Sequence, residues 1–264
     1  MKLLSGKELA GFIKERQVHQ VHSLKTKPKL LIIRDSDNPV ITKYVKLKQR
    51  YGEDIGVIVE DHRADNSDAL REEIIRANAD PSINGIIIQL PLRDKSQTDT
   101  LCNLIAPDKD VDGLGANTSY DSATATAILW LLAGYDIPLD RSKIALVGRG
   151  KLVGTPLYKM FTNSGYDVDI FHRGSDLTKL NQYDIIITAT GQPGLITNSM
   201  VKPGAILVDA GTASEDGVLK GDLADEVRKR SDLAAITPTT GGVGPLTVTC
   251  LFDHVITTNT NSTN

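Results

Sequence analysis

The chain has two cysteines, Cys102 and Cys250, in 264 residues, one tryptophan, and only 5% aromatic residues. Cysteines so far apart, in apolar surroundings, offer neither a disulfide framework nor a zinc-ligand spacing; they read as buried thiols in a reducing compartment. No apolar run reaches the roughly 20 residues that cross a bilayer. The N-terminus lacks the charged, apolar, small-residue order of a secretion signal. Neither sign of charge dominates: 30 Lys and Arg against 33 Asp and Glu leave a net charge of -3. Neither nucleic acid nor an anionic membrane is therefore expected as a partner. No phosphate-loop GK[ST] or nucleophile-elbow G-x-S-x-G signature occurs. His19 and His22 share a helix face without a third ligand type nearby, so no metal site is expected. What these absences leave is a soluble, cytoplasmic protein with room for one large domain or two smaller ones.

What is present is an alternation of strands and helices. Ser5 with Glu8 three residues later resembles a capping box, and Leu9, Phe12 and Ile13 follow at helical spacing. Leu30 to Ile33 reads as a strand, Lys43 to Tyr51 as a helix, and GVIVE from Gly56 as a strand. Leu70 to Arg76 reads as a helix and GIIIQL, Gly85 to Leu90, as a third strand. The pattern pauses between Pro107 and Thr124. A helix with Ile128, Leu129, Leu131 and Leu132 then opens a second series, whose strands begin at Ile144, Val168, Asp184 and Ala205. Alternation of this kind predicts parallel pairing, because each crossover needs room for its helix. The second series begins with a glycine turn, as nucleotide-binding halves do. The expected fold is therefore α/β in two domains: residues 1–120 with the C-terminal helix 245–258, and a Rossmann-type NAD(P)-binding domain over 121–244. The polar tail Thr257 to Asn264 is expected to fray.

ALVGRGKLVGTPL places Gly148, Gly150 and Gly154 after a strand and at the opening of a helix. A dinucleotide site needs that context: a tight turn, close backbone approach and helix N-terminal amides facing the pyrophosphate. A plain strand-to-helix turn would look the same. At the end of the next strand, where Asp or Glu meets a free ribose 2′-hydroxyl, stand His172 and Arg173, with Arg149 in the glycine turn. This favours NADP over NAD, unless both arginines are simply solvated. Tyr44 and Lys48, four apart on a helix, point the same way. They form either a proton-handling pair or a surface lysine beside a tyrosine. Gln89 ends an apolar strand where ligand-facing groups sit in open α/β sheets, or serves a neighbouring loop. Asp112, in KDVDG, either grips the N–H edge of a heterocycle or closes an Asx-type turn. In GGVGP, Gly241, Gly242 and Gly244 free the backbone for close approach, and Pro245 suits the first turn of a helix.

YVKLK, GIIIQLPL, PDKDVDG, VGRGKLVGTP, VKPGAILVDAG and GGVGPLTV, in that order over nearly the whole chain, resemble the bifunctional methylenetetrahydrofolate dehydrogenase/methenyltetrahydrofolate cyclohydrolase family. The resemblance implies two α/β domains with a cleft between them and a homodimer built through the cofactor domain. The implied activity is oxidation of 5,10-methylenetetrahydrofolate with NADP, then hydrolysis of the methenyl product to 10-formyltetrahydrofolate. By the resemblance, Lys48 is the central catalytic lysine, Tyr44 stacks near the folate, Gln89 tunes the lysine, and Asp112 grips the pterin. Leu90 and the loop Gly241, Gly242, Val243, Gly244 fall at substrate positions. Gly148, Arg149, Gly150, Arg173, Gly191 and Thr212 fall at cofactor positions. Departures from the family pattern are Ile41 for a serine, Gly150 for a serine, Thr240 for a proline, and LGANTSYDSATATA where a proline-and-cysteine turn is usual. A single-activity dehydrogenase of this fold, NADP- or NAD-using, and a non-catalytic nucleotide-binding protein are the competing readings. The intact Tyr44, Lys48, Gln89 and Asp112 argue against the latter.

Overall fold

In the computed structural model, residues 1–211, 213–215 and 218–262 are described. They form two units, Met1–Ala10 with Thr124–Thr247 and Gly11–Ala123 with Val248–Asn264. In chain order the first elements are β1 (Lys2–Leu3), α1 (Gly6–Ser23), β2 (Lys29–Arg34), α2 (Pro39–Ile55), β3 (Ile58–Arg63), α3 (Ser67–Ala79), β4 (Gly85–Ile88) and α4 (Thr98–Cys102). There follow α5 (Ala123–Gly134), β5 (Ile144–Val147), α6 (Gly154–Asn163), β6 (Val168–Phe171), β7 (Ile185–Thr188) and β8 (Ile206–Asp209). The chain closes with β9 (Ala213–Glu215), β10 (Val218–Lys220), α7 (Asp225–Arg228), β11 (Ala235–Ile236) and α8 (Val243–Ser262).

The unit containing Gly11–Ala123 is built on a parallel sheet ordered β3-β2-β4. Its central strand β2 is apolar and buried from Leu30 to Ile33, and β4 throughout, as expected of a parallel sheet covered on both faces. Leu31, Ile33, Leu70, Ile74, Ile86 and Ile88 form the core between sheet and helix. Each such side chain contributes about 1.5–3 kcal/mol on burial. Asn38 starts α2 by accepting from the Val40 amide, with Pro39 in the first turn, and Gly56 ends it at φ 87. That left-handed cap explains why the strand expected from Gly56 begins two residues later, at Ile58. Lys109 closes the other helix end, donating to the carbonyls of Ala77, Asn78 and Asp80 at 3.0, 2.9 and 2.7 Å.

α8 belongs to this core through its later turns. The buried Gln17 amide donates to the Thr249 carbonyl at 2.9 Å and accepts from Tyr51, whose ring stacks on Phe252 at 5.0 Å. The tail does not fray as expected: α8 runs on to Ser262. Thr257, Thr258 and Thr260 bond back to carbonyls one turn earlier. Asn259 is 3% exposed and reaches Thr26 at 3.2 Å, so polar residues here are anchored by the body of the unit.

The other unit holds a parallel sheet in the order β1-β11-β8-β7-β5-β6 and the antiparallel pair β9-β10. β1 pairs with β11, which places the first ten residues in this unit and not with the residues that follow them. Ser5 accepts from the Glu8 amide at 3.3 Å, but the Glu8 carboxylate takes the Tyr135 hydroxyl at 3.2 Å, so the capping box is one-sided. Phe12, expected on the buried stripe of α1, is 65% exposed. Strand order reverses between β5 and β7, the point at which open α/β sheets bind ligands.

Candidate active site

Lys48 and Tyr44 project from the same side of α2, and Ile41, at the position usual for serine, is 4% exposed and belongs to the core. The Lys48 ammonium donates to Oε1 of Gln89 at 2.8 Å. Gln89 in turn donates through Nε2 to the Leu90 carbonyl at 3.2 Å, which fixes the amide with its oxygen toward the lysine. The Leu90–Pro91 peptide is cis. Gln89 reaches this place because its own amide continues the ladder past β4, donating to the Ile33 carbonyl at 2.8 Å.

Burial lowers the Lys48 pKa, partly offset by the negative charge of Asp112. Burial pushes the Asp112 carboxyl up to about 6, with Lys48 acting against that rise and Asp110 adding to it. Burial also raises Tyr44, which stays a phenol at neutral pH. The structure thus brings together Lys48, Gln89 and Asp112, a polarised amine, an amide that orients it and a carboxylate that feels its charge, with Tyr44 one turn before Lys48 on α2. Asp110, 1% exposed, has a different task. Its carboxylate accepts from the amides of Gly113 at 3.2 Å and Gly115 at 2.7 Å, shaping the turn that presents Asp112.

In the other unit, Gly148 follows β5 at φ 113, and a Cβ there would lie 2.6 Å from the Ala189 carbonyl oxygen. A Cβ on Gly154 would lie 2.7 Å from the Gly148 carbonyl carbon, so both glycines are required by close packing. Gly150 has no atom within 4 Å of a built Cβ, and the residue before α6, Val153, makes no side-chain cap, while the Thr155 amide donates to the Gly150 carbonyl at 3.0 Å. Open space before the positive end of a helix suits a pyrophosphate. Gly191, at φ 66, follows β7 and lies across the strand-order switch from Gly148. Arg149 and Arg173 are exposed, and Arg173 follows the end of β6. Thr212 lies outside the described residues.

Two residues of this unit, Asp222 and Asp209, escaped sequence reading. Asp222, fully buried, accepts from the amides of Thr190 at 2.7 Å and Gln192 at 2.9 Å, holding the loop around Gly191. Burial raises its pKa. Asp209 accepts from Gly211 at 3.0 Å and Asp222 at 3.1 Å and pairs with Arg228. GDLAD and VDAG carry no catalytic spacing; only long-range packing reveals this role. Gly241, at φ 82, accepts from the Lys7 amide at 2.9 Å, and a Cβ on Gly6 would strike the Gly242 carbonyl. Gly244 has open space around it and Thr240 is exposed.

Among the described residues no helix is long and apolar enough to cross a membrane. Residues 4–112 match the tetrahydrofolate dehydrogenase/cyclohydrolase catalytic domain, and residues 122–263 match the NAD(P)-binding domain of the same description. The bifunctional protein FolD of Lactobacillus helveticus is 36% identical over 274 residues, covering 97% of this chain and 96% of its own length. The bifunctional FolD methylenetetrahydrofolate dehydrogenase/cyclohydrolase of Campylobacter jejuni superposes with a TM-score of 0.92 at 33% identity, covering 99% of each chain. The Trypanosoma brucei enzyme, solved with NADP cofactor and inhibitor, gives a TM-score of 0.90 at 27% identity, covering 99% of this chain and 98% of its own.

Proposed function

The chain belongs to the tetrahydrofolate dehydrogenase/cyclohydrolase family, and we propose from that premise that Lys48, Tyr44, Gln89 and Asp112 carry its chemistry. It is a bifunctional enzyme that oxidises 5,10-methylenetetrahydrofolate with NADP and hydrolyses the methenyl product to 10-formyltetrahydrofolate. NADP, when bound, accepts hydride from the methylene carbon. The open glycine turn at the start of α6 fits its pyrophosphate, and Arg149, Gly148, Gly150, Arg173 and Gly191 are assigned to it.

Loss of hydride leaves a carbon between two nitrogens with positive charge, so a lysine held permanently as ammonium would oppose the step. Burial of Lys48 reduces that opposition. In hydrolysis, water adds to the methenyl carbon and its proton passes to the Lys48 amine. The resulting ammonium returns a proton to the folate nitrogen as its carbon–nitrogen bond breaks, leaving the formyl group on the other nitrogen. Gln89, accepting one Lys48 N–H, leaves the amine's lone pair for that transfer. Asp112 is assigned to the N–H edge of the pterin, where an ionised carboxylate accepts more strongly than a neutral one. Tyr44 is assigned to stacking on the substrate. Leu90 and Gly241, Gly242, Val243 and Gly244 are assigned to its backbone contacts.

The single observation that supports this reading most is the 2.8 Å hydrogen bond from a pKa-lowered lysine to a fixed amide. A homodimer and a cytoplasmic location belong to the same proposal. The test is an absorbance assay of the purified protein on methylenetetrahydrofolate with NADP and NAD in parallel. Methenyl formation faster with NADP, followed by its enzymatic hydrolysis, is expected; dehydrogenation without accelerated hydrolysis would overturn the role given to Lys48.

A further inference from the structure

The mechanism leaves one half-buried imidazole unused, and it sits against the turn that carries Asp112. His254, on α8, places Nδ1 2.8 Å from the carbonyl oxygen of Val111. A carbonyl only accepts, so Nδ1 carries the proton and donates. Nε2 lies 3.7 Å from Sγ of Cys250. Tyr120 covers the imidazole, with ring centres 4.4 Å apart and planes 20° from parallel. Its hydroxyl shares a 2.6 Å hydrogen bond with Thr258, which reaches the Asp108 carbonyl at 3.1 Å. Burial lowers the His254 pKa against the opposing effects of the hydrogen bond to Val111 and the charges of Asp253, Asp121 and Asp110, so the ring stays neutral beside the turn.

The backbone consequence is specific. The peptide before Asp112 is held through the Val111 carbonyl by His254, and the peptide after it through the Asp112 carbonyl, which accepts from the Ala123 amide at 3.1 Å. Fixing both flanking peptide planes fixes φ and ψ of Asp112, and hence the direction of its Cβ. Tyr120 lies in the very stretch, Leu114 to Ala127, where this chain departs from the family pattern.

We propose that His254, with Tyr120 stacked on it, is a positioning residue for Asp112, holding its carboxylate in the one orientation that meets the N–H edge of the folate heterocycle. The inference rests on the assignment of Asp112 to substrate binding. It places a substrate-affinity determinant on the last helix, well beyond the GGVGP segment at its start.

The test measures dehydrogenase KM and kcat with methylenetetrahydrofolate and NADP for His254→Leu, His254→Asn, Tyr120→Leu, Asp112→Asn and the His254→Leu/Asp112→Asn double variant. His254→Leu raises the folate KM ~10-fold while kcat and the NADP KM change less than about twofold, since a donor is lost but no reacting group. His254→Asn, whose Nδ2 occupies the place of Nδ1, restores most of the loss. With Asp112→Asn already present, His254→Leu adds no further rise, because coupled residues are not additive. An unchanged folate KM in His254→Leu, an equal loss in His254→Asn, or full additivity in the double variant would each overturn the proposal. If Asp112→Asn itself leaves the folate KM unchanged, the assignment of Asp112 falls, and the positioning role with it. Should His254→Leu fail to bind NADP and so report misfolding, Tyr120→Leu decides: a raised folate KM supports the clamp and an unchanged one overturns it.

Discussion

Lys43, Lys46 and Lys48 share one helix but not one environment, and the difference decides their chemistry. The first two are exposed, whereas Lys48 bonds to Gln89 and has its pKa lowered by burial. Lys48→Met keeps the length and the apolar stem and removes only the amine. We expect methenyl hydrolysis to fall by about 10³-fold, within the usual range for a lost general acid–base, while NADP still raises the melting temperature as it does in the parent. Decay of methenyl absorbance measures the first, a thermal melt the second; near-normal hydrolysis would sink the assignment. The pH dependence follows from the paired shifts. Asp112, with its carboxyl pushed up to about 6, takes up its proton as pH falls through that value and loses the anionic acceptor. The folate KM should therefore rise below about pH 6, whereas the NADP KM stays flat across the same range. In Asp112→Asn the negative charge that holds up the Lys48 pKa is gone, so the rise of hydrolysis with pH moves to lower pH than in the parent. A basic limb that stays put would mean the two groups do not interact.

Elements obey packing rules that single residues then test. A Cβ on Gly154 would lie 2.7 Å from the Gly148 carbonyl carbon, so α6 cannot begin where it does with any other residue. Gly154→Ala is expected to cost about 1–3 kcal/mol of stability, as overpacking does, and to weaken NADP binding by titration calorimetry. Gly150→Ser, restoring the usual family residue where no neighbour lies within 4 Å, should leave the melting temperature unchanged. Equal damage from both substitutions would refute the close-packing account. The same contrast shows what was legible in the sequence. The central strands declared themselves because parallel sheets bury both faces; helical spacing set Lys48 and Tyr44 on one side of α2, and the family resemblance, not the spacing, singled the pair out. Boundaries failed where a cap outweighed apolarity, as at Gly56, or where polar side chains found distant partners, as Thr258 does in Asp108 and Asn259 in Thr26. The placement of β1 was illegible because only two residues, Lys2 and Leu3, carry its pairing to β11. Asp222 was illegible for a related reason: its amide partners, Thr190 and Gln192, lie some thirty positions away, at sequence separations of 32 and 30.

At the scale of the molecule, the side chains assigned to folate chemistry, Tyr44, Lys48, Gln89 and Asp112, fall in one unit and the groups assigned to the cofactor in the other, so their losses should separate. A ligand that binds only the folded protein stabilises it by RT ln(1 + [L]/Kd), about 2.7 kcal/mol at a hundredfold excess over Kd. Melting shifts therefore report cofactor affinity without turnover, even in Lys48→Met. Arg173 is exposed at the end of β6, and its guanidinium can pair with a 2′-phosphate but gains nothing from a 2′-hydroxyl. The parent should thus show a larger melting shift with NADP than with NAD at equal concentration. Because the arginine is solvent-exposed, that difference should shrink as salt shortens the Debye length from about 10 Å at 0.1 M to about 3 Å at 1 M. Arg173→Ala should abolish most of the difference, leave the NAD shift nearly unchanged, and make the remaining NADP shift insensitive to salt. Losses equal for both nucleotides would show that Arg173 supports the fold of the turn and does not read the phosphate. The net charge of -3 sharpens this test: a mildly anionic protein offers no general attraction for a nucleotide, so a salt-sensitive preference for NADP has to come from a local cation.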